Sequence, residues 1–117
     1  MIRTTYQKGL YAEGLCRLAL RLKGYRILAV RYKTPLGEID IVATRGNIVA
    51  AVEVKARRSH EDALQALSVR QQGRIIQALE MFIARHPSFG RADLRLDVML
   101  VRPRHWPKHI PNAWQKG

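Results

Sequence analysis

Apolar residues recur along this chain with two periods. Over 5–23, Leu15, Leu18, Ala19 and Leu22 keep helical spacing, and Gly24 follows as a stop. Over 25–33 (YRILAVRYK) the pattern is that of a strand, with Ile27 and Ala29 set against Leu28 and Val30. Thr34-Pro35-Leu36-Gly37 supplies the next turn. Residues 38–44 and 48–55 read as two strands around Gly46-Asn47, a two-residue hairpin signal in which glycine takes the positive φ. Ser59-His60-Glu61-Asp62 and Ser68-Val69-Arg70-Gln71 have the form of helix starts, the second a capping box. They predict a helical turn near 61–67 and a helix over 69–85, with Ile75, Ile76, Leu79, Phe82 and Ile83 as its core stripe and Pro87 as its end. The last strand is 93–101, with Leu94, Leu96, Val98 and Leu100 on one face and Arg95, Asp97 and Met99 on the other. The order is helix, three strands, helix, strand. It predicts one α/β domain over 1–117, an αβββαβ core whose mixed sheet is flanked by helices. A basic tail carrying Pro and Trp closes the chain at 102–117.

The hairpin carries the chemistry. With Gly46 and Asn47 as its loop, Arg45 lies opposite Ile48, and the same register sets Asp40 opposite Glu53 and Glu38 opposite Lys55. Alternation then puts these four on one face, with Ile39, Ile41, Ile48, Val52 and Val54 forming a core face behind them. Opposed carboxylates stand roughly 5 Å apart at Cβ and repel. A shared proton or a cation must relieve that repulsion, and hard divalent ions such as Mg²⁺ or Mn²⁺ take oxygen ligands of this kind, often together with phosphate. Lys55 could reach a bound anion or an attacking water. The bland alternative is a solvated strand face with cross-strand ion pairs.

Charge sharpens the picture. Twenty-one Lys and Arg, fifteen of them Arg, stand against nine Asp and Glu, a net +12. A pI near 10.9 and an excess of planar, phosphate-matching guanidinium groups make nucleic acid the expected partner. Yet three of the nine acids, Glu38, Asp40 and Glu53, fall within the hairpin. Arg57 and Arg58 leave the site as a basic exit, and Arg70, Gln71 and Arg74 sit in the first turns of the second helix, where cations oppose the helix dipole and suggest an anion nearby. No run of about 20 apolar residues is present, nor a signal-peptide core, and the one cysteine has no partner. These point to a cytoplasmic protein without a membrane span; its pairing as a homodimer is left open.

Other residues carry less. Glu13 could pair with Arg17 at (i, i+4) or lean over the hairpin as a third carboxylate. Cys16 reads as a small buried hydrophobe. Asp97 reads as an arginine's partner. His105 and His109 are four apart, but Pro107 between them breaks the helical face a zinc pair would use. The tail's basic and aromatic mixture could stack on bases, or its tryptophans could pack on the domain.

Asp40 followed by Glu53-Val54-Lys55 resembles the Asp…(Asp/Glu)-x-Lys signature of the PD-(D/E)XK nuclease superfamily. More narrowly, the chain resembles the YraN-like family of predicted bacterial endonucleases, similar to Holliday-junction resolvases. The likeness runs through Glu13, Gly24-Tyr25, Gly37-Glu38-Ile39-Asp40, Val52 to Arg57, Arg95 to Val98 and His109 to Trp114. Two departures are modest: Ala50 and Ala51 stand where an aromatic is frequent, and Arg70 where a lysine is. The resemblance implies a restriction-endonuclease-like fold and a Mg²⁺- or Mn²⁺-dependent endonuclease acting on DNA, branched or otherwise structured. Asp40, Glu53, the carbonyl of Val54 and Glu13 would be the metal ligands, with Lys55 completing the catalytic set. The rival readings are a nucleic-acid-binding module without turnover and an adaptor in DNA processing.

Overall fold

A computed structural model describes residues 5–113. Helix α1 spans Thr5–Leu22, and Arg26–Lys33 (β1), Glu38–Arg45 (β2) and Ile48–Ala56 (β3) follow as an antiparallel meander. Two helices, His60–Gln65 (α2) and Val69–Arg85 (α3), lead into Asp93–Val101 (β4), which returns parallel to β3. A short strand, Lys108–Ile110 (β5), pairs antiparallel with β4. The five strands form one mixed sheet in the order β1-β2-β3-β4-β5. This is the expected αβββαβ arrangement, compatible with a restriction-endonuclease-like fold, plus one strand from the tail.

Local chemistry accounts for the boundaries. Gly46 takes φ 59° in the two-residue hairpin turn. Ser68 and Gln71 form the reciprocal capping box that starts α3. The β1–β2 turn closes on Thr34, whose hydroxyl accepts from Gly37 N at 3.0 Å. Glycine is needed at 37 for another reason: a Cβ there would stand 2.8 Å from the Arg74 carbonyl oxygen of α3.

The sheet is buried on both faces. Val42, Val49, Ala51 and Leu96 pack against Ile75, Ala78, Leu79 and Phe82 of α3. Ile41, Ala43, Ala50, Val52 and Met99 pack against Cys16, Ala19 and Leu20 of α1. α2 covers Val98 and Leu100 through Ala63. The expected division of the hairpin into one core face and one polar face is therefore corrected, because a central sheet layer between helices has no solvated face. The stripe expected on α1 is also corrected: Cys16, Ala19 and Leu20 face the sheet, while Leu18 and Leu22 are exposed, Leu22 to 72%.

Two irregularities interrupt the strands nearest the site. The β1–β2 register shifts between Ile27 and Ala29, so Leu28 and Ala29 both pack toward α3 instead of facing opposite ways. Further along, the pairing passes from Val30↔Ile41 to Tyr32↔Ile39, and Arg31 adopts φ 53°. The single core face expected for Ile39 and Ile41 is corrected as well: Ile39 joins the α3 side, whereas Ile41 joins the α1 side.

Candidate functional site

The hairpin keeps the register read from its loop, with Arg45 opposite Ile48 and Ile41 opposite Val52. Beyond Ile41 and Val52 the ladder gives way to side chains. The Asp40 amide donates to Glu53 Oε2 at 3.2 Å, and the Val54 amide donates to Asp40 Oδ2 at 2.8 Å. Each carboxylate thus takes a main-chain N–H from the strand that carries the other. Asp40 lines a cavity of about 1020 Å³ on the α1 side, with Glu13, Val54 and Lys55. Glu53 lines a smaller one of about 230 Å³ on the α3 side, with Glu38, Lys55, Gln71 and Arg74. Lys55 borders both.

Burial sets the electrostatics. Glu53 is 6% exposed, and its carboxyl is pushed up to about 8, first by burial and then by the neighbouring Asp40 charge. Asp40 is raised as well, again chiefly by burial; the Val54 amide and Lys55 pull the other way, and Glu13 and Glu38 push further up. The Cys16 thiol, buried below, is driven to about 12 by burial, Asp40 and Glu13. It is inert packing, as its place in the helix predicts.

The repulsion between Asp40 and Glu53 is what a divalent cation would relieve, and two carboxylates are the hard-oxygen donors that Mg²⁺ or Mn²⁺ prefers. The single face expected for Glu38, Asp40, Glu53 and Lys55 is corrected, since Asp40 opens to the α1-side cavity and Glu38 and Glu53 to the α3-side one; Asp40 and Glu53 therefore offer a cation one carboxylate from each side. Among the described residues, no cluster of three or more His, Cys, Asp or Glu is arranged to hold a metal. Glu13 faces the same cavity as Asp40 but is held by Arg31, whose Nε and Nη2 reach its Oε2 at 3.1 and 2.7 Å. The carboxylate pairs across the fold, not with Arg17 along its own helix. Among the described residues, no ion pair links Glu38 to Lys55.

The basic residues divide into two groups. Arg57 and Arg58 line a cavity of about 410 Å³ with Arg102 and His105. Gln71 and Arg74 border the Glu53 cavity, but both have structural duties: Gln71 Oε1 caps α3 by accepting from Ser68 N, and Arg74 Nε donates to the Leu36 carbonyl. Arg70 is exposed on the first turn of α3.

Sequence reasoning missed a second buried cluster. Asp97 is fully buried and accepts from Arg95 Nε (2.7 Å) and Nη2 (2.8 Å), from His109 Nε2 (2.7 Å) and from Asn112 N (2.9 Å). Burial would raise its carboxyl; the bonds from His109, Arg95 and Asn112 outweigh that and hold it below the ordinary value. Lys23 Nζ bonds His109 Nδ1, so the proton on Nε2 is the one offered to Asp97. An arginine is the expected partner, and Arg95 fills that place. The tail's role was not foreseen: Asp97 fastens it to the sheet, beside the Ala113 N to Leu96 O bond. The signal lay in the tail's isolated His109, once zinc ligation was set aside. Trp114 lies outside the described residues.

The charge of +12 and the phosphate-matching arginines lie on a chain in which no helix, among the described residues, is long and apolar enough to cross a membrane. Comparison with known proteins places the chain in a family. Residues 12–101 match the uncharacterised protein family UPF0102. The chain is 51% identical over 109 residues to a UPF0102 protein of Chelativorans sp. (strain BNC1), covering 93% of this chain and 88% of that one. It is 52% identical over 110 residues to a UPF0102 protein of Parvibaculum lavamentivorans, covering 94% and 83%. A UPF0102 protein of Methylorubrum extorquens is 47% identical over 113 residues, covering 97% and 88%. The chain therefore belongs to the uncharacterised protein family UPF0102, the YraN-like family that its Asp40 and Glu53-Val54-Lys55 motifs resemble.

Proposed function

We propose that this protein is a metal-dependent endonuclease that hydrolyses phosphodiester bonds in DNA. One observation carries the reading: Asp40 and Glu53, both raised by burial, interlock at the end of the hairpin ladder with Lys55 bordering the cavities on either side. Perturbed carboxylates in a cleft mark functional sites, because burying mutually repelling charges costs stability without a compensating role. Asp40 and Glu53 would hold Mg²⁺ or Mn²⁺, with the Val54 carbonyl as a third oxygen and substrate phosphate and water as the rest. Such an ion lowers the pKa of its water and neutralises charge on the transferring phosphate. Lys55 orients the nucleophile or stabilises negative charge developing on phosphate. Arg57, Arg58 and Arg102 hold the strand by its backbone. Glu13 acts through its charge beside Asp40 while Arg31 holds it in place.

The second reading is a binding module with this fold and no turnover. It is favoured by the absence, among the described residues, of a third His, Cys, Asp or Glu arranged with the pair, and by the Arg31 clamp on Glu13. Purified protein incubated with duplex, single-stranded, flap and four-way DNA, with Mg²⁺ or Mn²⁺, decides between them. Metal-stimulated cleavage of any of these is expected. Binding without cleavage on every substrate leaves the module.

A further inference from the structure

The cavity beside Asp40 is larger than a phosphate and a metal ion require. At about 1020 Å³ it runs from Asp40 and Lys55 past Tyr11 and Leu15 of α1 to Arg104 and Trp106, in the loop joining β4 to β5. Pockets of roughly 300–1,000 Å³ accommodate whole small molecules. Two aromatic side chains wall it from different elements, Tyr11 at 55% exposure and Trp106 at 56%. An indole left that exposed buries little of itself in the fold.

Trp106 is presented by a built loop. His105 N donates to the Arg102 carbonyl at 3.2 Å, His105 Nδ1 bonds the Pro103 carbonyl at 2.9 Å, and Arg104 sits at φ 61°. Pro107 is buried behind it, and Asp97 fastens the strand that follows through His109 and Asn112. The loop that carries the aromatic is therefore preorganised, which lowers the entropy lost on binding. Arg102 borders this cavity and the neighbouring one that holds Arg57 and Arg58. A polyanion laid across the two meets cations on its backbone and, in the larger cavity, the Trp106 ring.

We propose that the Trp106 cavity is a nucleobase site, so that the protein prefers DNA with an unpaired nucleotide next to the bound phosphate over continuous duplex. The inference rests on the proposed nucleic-acid reading, and it names the substrate class without requiring turnover. In a duplex every base is stacked and paired, and it enters a cavity only at the cost of unstacking and unpairing. In a single strand each base offers a face to an aromatic ring, and one such stack changes affinity by about tenfold. A surface that bound through charge alone would favour the duplex, whose charge density is higher.

The test is binding by the full chain in EDTA, where cleavage plays no part. Fluorescence anisotropy compares an oligo-dT strand with a duplex of equal length, and 2-aminopurine placed in the strand reports stacking. Tighter binding of the strand, with 2-aminopurine quenched on binding, is expected. Trp106→Ala should weaken the strand about tenfold, move the duplex by less than about twofold and abolish the quench, while Trp106→Phe retains all three properties. Its exposure means the Ala variant folds, which circular dichroism checks. Equal affinity for strand and duplex, a loss in Trp106→Ala shared by both ligands, or binding of neither overturns the proposal. Selective strand binding without metal-dependent cleavage would uphold the base site and reject the nuclease.

Discussion

The Asp40 amide donates to the Glu53 carboxylate at 3.2 Å, while the Asp40 carboxylate accepts from the amide next to Glu53, that of Val54, at 2.8 Å. Two side chains thereby take over donors that a continuing β-ladder would use. The pair ends the hairpin and holds each acid in place with the other's strand. Because both bonds are to carboxylate oxygens, they persist when the acids are changed to amides that keep a carbonyl oxygen. That separates charge from architecture in the experiments below.

Glu53 makes the fold sensitive to pH. In the unfolded chain it titrates near 4.5, and in the folded protein near 8. Below about 4.5 it is protonated in both states and costs nothing. As pH rises from there through 8, only the unfolded chain ionises readily, so stability falls and then levels off. Glu53→Gln removes the charge and should melt several degrees above wild type near pH 8.5, with the difference shrinking toward pH 5. Coincident melting curves at pH 8.5 would contradict the strained carboxylate.

Arg31 combines a left-handed backbone with the ion pair to Glu13. A Cβ at positive φ costs on the order of 1 kcal/mol, and glycine escapes that cost. Arg31→Ala and Arg31→Gly both lose the ion pair, yet the Gly variant should be the more stable of the two by about 1 kcal/mol. Urea titration of both variants measures the difference. An Ala variant as stable as the Gly variant would mean that the backbone relaxes once the guanidinium is gone.

Asp97 fastens the tail. Asp97→Asn leaves the half-buried Arg95 guanidinium without its counter-charge and weakens the acceptor for His109, and breaking such a network costs about 3–5 kcal/mol. The carboxyl is held below its ordinary value near 3.8. Its contribution is therefore present above about pH 3.8 and lost as pH falls through the lowered folded value. Amide exchange at Ile110 and Ala113, followed by NMR, should accelerate in the variant before the central strands do. Unchanged exchange there would show that β5 holds without Asp97.

The elements were legible because their punctuation is chemical. Gly46-Asn47 pins the hairpin register, and the Ser68–Gln71 box starts α3 at the expected residue. Burial of both hairpin faces was not legible, since Val42, Val49, Ala51 and their alternates are apolar enough to suit either a one-faced or a two-faced sheet. Nor was the change of face between Ile39 and Ile41, since strict alternation along a strand puts residues two apart on one side. Helical spacing pointed Glu13 to Arg17; its actual partner lies 18 residues along the chain on β1. β5 has three residues among prolines, too short a run for periodicity, and it forms because β4 offers an edge and Asp97 an anchor.

DNA binding without metal should follow charge. Contacts between Arg or Lys and phosphate release counterions, so log affinity should fall roughly linearly with log salt. Arg57→Ala and Arg58→Ala together should reduce that slope by about 2 units at most. Affinity indifferent to salt would remove nucleic acid as the partner and favour an adaptor.

The most direct measurement pairs cleavage with binding in Asp40→Asn. Without metal, Asp40 repels an incoming phosphate, so the variant should bind DNA in EDTA as tightly as wild type or more tightly. With Mg²⁺ or Mn²⁺, losing that carboxylate should lower the cleavage rate by orders of magnitude. Binding retained and cleavage abolished is the predicted result. A folded wild type that never cleaves with either metal, or an Asp40→Asn variant that cleaves at the wild-type rate, would contradict it.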